Sequence, residues 1–98
     1  MSTESEMDIY QEALTAIVQR FMKLMGEPAL RLARRVYGLH VEDDGSVTRY
    51  QGEGMVAMQG LVIEYMTLLG PQALPMTQRA INPTMQLHPH VKLPSLLE

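Results

Sequence analysis

Apolar residues recur along the first quarter of the chain at helical spacing. Met7, Tyr10, Leu14, Ile17, Phe21 and Leu24 follow one another at alternating steps of three and four, and Ala13, Val18, Met22 and Met25 widen the stripe. That period predicts an amphipathic helix over 5–25, broad enough on its apolar side to meet more than one neighbour. Thr3 and Glu6 have the spacing of a capping box at its start. Gly26 then interrupts the pattern and Pro28 restarts it, which is the punctuation expected between one helix and the next. The second helix is predicted to run to Tyr37. Leu30, Ala33, Val36 and Tyr37 form its inner side, and Arg31, Arg34 and Arg35 form one basic side.

The period then changes to two. Leu39 and Val41 alternate with His40 and Glu42, and Val47 and Arg49 alternate with Thr48 and Tyr50, around the turn signal Asp43-Asp44-Gly45. A β-hairpin is predicted over 39–50. Two strands alone are marginal in water, so this hairpin must lie on the helices or pair with another chain. A third helix is predicted over 53–69, with Glu53 and Glu64 as its only charges, and a fourth from about Gln72 to Ile81, opening near Pro75 and ended by Asn82-Pro83. The remainder, 82–98, contains Pro83, Pro89 and Pro94 and reads as an extended tail that Leu87, Val91 and Leu93 could anchor.

Two of these segments resemble each other. Shifting the chain by 44 positions superposes Ala13 on Ala57, Val18 on Val62, Met22 on Met66, Leu24 on Leu68, Gly26 on Gly70, Ala29 on Ala73, Leu30 on Leu74 and Arg35 on Arg79. Phe21/Tyr65, Ile17/Leu61 and Met25/Leu69 are chemically alike. Each copy reads as a long helix, a glycine corner and a shorter helix. The fold expected is therefore mainly α: a single domain over 1–98, with two helix-turn-helix hairpins (5–37 and 53–81) in pseudo-repeat, four helices in all, and one β-hairpin between them. Each hairpin would shelter the other's apolar face, since neither can bury its long helix alone.

Composition narrows the function. The chain has 98 residues, 46% hydrophobic and 19% charged, as an ordinary globular domain does. It has no cysteine, which excludes disulfides and thiolate metal sites. The acidic, polar start "MSTESEMD" is unlike a secretory leader, so the expected location is cytoplasmic. The apolar run Met55–Gly70 is shorter than the ~20 residues a spanning helix needs and carries Gln59 and Glu64, so no membrane partner is expected.

Candidate chemistry is sparse. Serines lie only at Ser2, Ser5, Ser46 and Ser95, none in a nucleophile elbow. Centring an EF-hand loop on Gly45 places His40 and Gln51 where carboxylates must bind, which rules that site out. His88, His90 and the nine methionines complete no ligand set, so neither metal nor other cofactor is expected. Arg20, Lys23, Arg31, Arg34 and Arg35 are five of the eight basic residues, but acids flank them on both sides and the net charge is −3, which disfavours nucleic acid.

What remains is association. The reading is a small non-enzymatic protein-interaction module, regulatory in kind, that forms a homodimer and could take a protein partner. Leu14, Ile17, Phe21, Leu61, Tyr65 and Leu68 are the expected apolar anchors, with Arg31, Arg34 and Arg35 setting orientation by opposite-sign pairing. A second reading is an apolar small-ligand cavity lined by Met22, Met25, Met58, Met66 and Tyr65. A third is nucleic-acid binding through the arginine face.

Overall fold

The computed structural model describes residues 6–98, with side chains from Ile9 onward. In chain order the elements are α1 (Glu6–Met25), α2 (Glu27–Ala33), β1 (His40–Val41), β2 (Val47–Arg49), α3 (Gly54–Leu69) and α4 (Ala73–Leu87). One 3₁₀ turn, Gly70–Gln72, leads into α4 and another, Ser95–Leu97, lies near the end. The fold is mainly helical, 68% of it, with one two-stranded antiparallel sheet. Helices of fifteen residues or more number three among the described residues, and α2 has only seven, so four matched helices are not what the chain forms. The capping box expected at Thr3 and Glu6 needs Thr3, which lies outside the described residues.

The long helices α1 and α3 lie side by side and parallel. Phe21 is stacked on Tyr65 near their C-terminal ends, ring centroids 4.1 Å apart. At the other end Gly54 is pressed so closely to Tyr10 that a β-carbon there would stand 2.2 Å from the tyrosine ring. Leu14, Ile17, Val18, Phe21, Met58, Leu61, Val62 and Tyr65 are wholly buried between the elements. The two helices end alike. Gly26 and Gly70 take φ of 72° and 71°, a left-handed value that costs glycine little, and donate their N–H groups to the carbonyls of Met22 and Met66.

Beyond the corners the halves diverge. The second helix ends at Ala33, four residues short of Tyr37, because Arg35 and Val36 bond back by the tighter i→i+3 pattern to Leu32 and Ala33. The fourth helix does the reverse and runs through the expected stop at Asn82-Pro83 to Leu87. Pro83 and Asn82 face solvent, so the helix bond that Pro83 cannot donate leaves a carbonyl that water can satisfy. Behind α4 the tail is tied down by Val91, Pro94 and Leu97, with Leu93 half-buried, while Leu87 stands 74% exposed and anchors nothing. Leu97, to which the sequence reading gave no role, is therefore part of the core.

The hairpin lies on α1. Gln11, Thr15 and Gln19, one stripe of that helix at steps of four, meet it in turn. Gln11 Nε2 donates to Thr48 O at 3.0 Å, Thr15 Oγ1 accepts from Val47 N–H at 2.9 Å, and Gln19 Nε2 donates to Asp44 O at 3.1 Å. At the turn, Asp44 Oδ1 accepts the N–H of Ser46, which holds its carboxyl below the ordinary range. Val41 and Val47 point inward, and Arg34 donates to Val41 O through Nε and Nη2, closing the hairpin against α2.

Candidate interaction surfaces

Most of the expected anchors are interior. Leu14, Ile17, Phe21, Leu61 and Tyr65 have no exposed surface and pack against one another within the single chain, so a docking surface built from them would require the fold to open. Their helical spacing makes an apolar stripe, and what covers it is α2, α3 and α4 of the same chain. Leu68 alone among them is outward, 59% exposed.

The residues expected to line an apolar cavity lie in different surroundings. Met58 and Tyr65 are filled-in core, while Met22, Met25 and Met66 are half-buried around its edge. Met22 lies beneath the hairpin turn, its sulfur 2.6 Å from where a β-carbon on Gly45 would be, whereas Met66 lines a shallow groove with Ile63 and Leu96. The methionines are thus packing residues at separate places. Burial also pushes the Tyr65 hydroxyl above its ordinary 10.0, and that hydroxyl donates to Ala29 O at 2.9 Å.

The arginine face is exposed but not unopposed. Arg31 pairs with Glu27 at 3.4 Å, Arg34 with Asp43 at 3.0 Å and Arg35 with Glu64 at 3.3 Å. The Glu64 Oε1 atom is buried and makes no hydrogen bond; the Arg35 guanidinium compensates its charge by proximity alone. With a carboxylate on each guanidinium, the face lacks the open positive field a phosphate backbone requires.

Two surfaces remain with a chemistry of their own. The first is the outward side of α3. Val56, Gly60, Ile63 and Thr67 recur at steps of four, three and four, flanked by Gln59 and Met66. Val56 is 63% exposed and Ile63 44%; the stripe itself carries no charge, and Glu64 at its margin is paired with Arg35, its side chain 22% exposed. Val36 touches its edge, 3.4 Å from the β-carbon position of Gly60, and the next residue, Tyr37, is 89% exposed. Sequence periodicity missed this face because α3 is apolar almost all round, so no single stripe stands out from it.

The second is a groove of about 700 Å³ between α2 and the end of α3, with Pro28, Leu32 and Leu68 for a floor and Arg31, Arg34 and Arg35 along the rim. A separate depression, of about 560 Å³, brings Tyr10, Tyr50, Glu53, His90 and Lys92 together from three stretches of chain; the Tyr10 hydroxyl there donates to Lys92 O at 2.7 Å. Among the described residues no group of three His, Asp or Glu side chains could hold a metal ion, and no helix is long and apolar enough to cross a membrane. His88 and His90 meet edge to face, 6.1 Å between ring centroids.

Comparison with protein-family models, with curated proteins and with solved structures returns no match.

Proposed function

We propose that the chain is a protein-association module that pairs with a second copy of itself through the outward side of α3. The observation that carries this reading is the uncharged stripe Val56-Gly60-Ile63-Thr67, exposed along a helix that is apolar on its buried side as well. An apolar helix bordered by water on one side loses free energy of about 25 cal/mol for each Å² of apolar surface it leaves uncovered. In a twofold pair each residue faces its own copy or a near neighbour, so a stripe without charge meets itself without like-charge repulsion. The four-three-four spacing is the one by which two helices interlock along a seam. Tyr37 at its margin is the residue type that most often anchors such interfaces.

The internal arrangement fits the same idea. Residues 44 apart touch at both ends of the α1/α3 pair, Tyr10 with Gly54 and Phe21 with Tyr65, and both corner glycines adopt one conformation. We read the two halves as a pseudo-twofold pair of helical hairpins that diverged in their second helices.

Sedimentation equilibrium over a range of concentrations tests the association. The wild-type chain is expected to dimerise, and Ile63→Glu and Val56→Glu are expected to hold it monomeric yet folded, with a melting temperature that no longer rises with protein concentration, because both side chains are solvent-facing in the single chain. A wild-type chain that stays monomeric at high micromolar concentration overturns the reading.

A further inference from the structure

The groove between α2 and the end of α3 differs from the α3 seam in shape and charge, and the geometry points to a different occupant. We propose that it receives an acidic segment of a partner protein, bearing a leucine-like side chain for the floor and carboxylates for the rim. The volume, about 700 Å³, is that of a site able to seat one or two side chains of a partner. The floor is apolar, and Leu68 is 59% exposed on it, a large aliphatic surface held open to water at the end of a helix. Every charged residue lining the groove is an arginine.

The arginines have capacity left. A guanidinium carries five N–H donors. Arg31 meets Glu27 only through Nη1, and Arg35 meets Glu64 only through Nε. The rest of each fork has no partner among the described residues, and 65% and 68% of the two side chains is exposed. Arg34 is different. Its Nε and Nη2 are spent on Val41 O and Asp43, so it holds the hairpin and adds positive field without being free to grip. Two planar forks flanking an apolar floor match carboxylates beside an aliphatic side chain, because the fork binds a carboxylate through two parallel hydrogen bonds. A phosphate backbone fits less well, because it offers no apolar group for Leu68 and Leu32.

The test uses fluorescence anisotropy with the full chain and a short labelled peptide of leucines and glutamates. Three further probes are the same peptide with lysines for glutamates, the same with serines for leucines, and a labelled single-stranded DNA; dodecanoate serves as a competitor of the same chemistry without a peptide. Saturable binding of the leucine–glutamate peptide alone is expected. Arg31→Glu combined with Arg35→Glu should weaken it by about tenfold or more, the loss of one charge-assisted contact or better. Leu68→Asp should do the same. Ile63→Glu, on the opposite side of α3, should leave it unchanged, so that a failure of dimerisation and a failure of peptide binding are read separately. Circular dichroism melts check that each variant folds, and all four replaced side chains are outward. The proposal is overturned if the peptide does not saturate, if the lysine or serine peptide binds as well, if dodecanoate or DNA binds in the peptide's place, or if the arginine and Leu68 variants bind undiminished.

Discussion

The rings of Phe21 and Tyr65 lie stacked, 4.1 Å between centroids and 18° from parallel, and the Tyr65 hydroxyl reaches past that contact to the carbonyl of Ala29. One tyrosine therefore joins α1, α3 and the start of α2. It is wholly buried, and such an aromatic pair contributes about 0.5–1.5 kcal/mol beyond the area it hides.

Tyr65→Phe keeps the stacked ring and removes the hydroxyl with its bond to the Ala29 carbonyl. A loss of about 1–2 kcal/mol is expected, measured by urea unfolding. The same variant has a signature in pH. Burial raises the Tyr65 pKa in the folded state, so the unfolded chain releases that proton first as pH rises. Stability from this group is complete below the ordinary value of 10.0 and declines as the pH is taken above it. The wild-type melting temperature should fall more steeply than that of Tyr65→Phe in this range. Parallel curves would show that Tyr65 ionises freely in the folded chain.

At the far end of the same helix pair, Gly54→Ala places a methyl group 2.2 Å from the Tyr10 ring. Neither can yield without moving a helix, so the expected cost is about 1–3 kcal/mol. Gly54→Ala combined with Tyr10→Ala should recover part of that loss, because the clash is gone. If the double variant is no better than the sum of the two singles, the helices do not touch there.

The hairpin should loosen when its clips are cut. Thr15→Val preserves the shape of the side chain but leaves the Val47 N–H without an acceptor, at about 1–3 kcal/mol. Arg34→Lys keeps the charge and loses the fork that grips Val41 O, so it should destabilise, whereas Asp43→Ala, whose side chain is fully exposed, should change stability by less than about 1 kcal/mol. Hydrogen exchange at Val41 and Val47 checks both, and faster exchange in Thr15→Val and Arg34→Lys is the expected result.

Pro83 sits inside α4 on its exposed side. Pro83→Ala restores one N–H and relieves the ring against the preceding turn, so the chain should gain up to about 3 kcal/mol and melt higher. A melting temperature that does not rise would place the end of the helix before Asn82.

That helix marks where local reasoning stops. Asn82-Pro83 is a sound stop signal in an isolated segment. It is overridden because Ile81 and Thr84, on the other side of the helix, are buried, Thr84 donating to Glu12 Oε2 at 3.2 Å, and continuing the helix keeps both in place. The glycine corners and the hairpin turn needed no such help, since positive φ at Gly26, Gly45 and Gly70 is a property of the residue itself. For the surfaces, the three arginines were visible as a stripe, but the groove they rim was not, because its floor takes Leu68 from a helix more than thirty residues away. The clips on the hairpin were equally hidden: Gln11, Thr15 and Gln19 look like an ordinary polar stripe until the strands are laid on it.

The order of apolar and polar residues by itself determined the helical character, the corners and the β-turn, because period, glycine and proline act over a few neighbouring residues. Which apolar stripe is sealed and which is left open was decided only by tertiary structure. Leu14, Ile17 and Phe21 vanish among the packed helices while Val56 and Ile63 stay in water, since burial depends on what packs opposite, and a one-dimensional pattern does not record its partner.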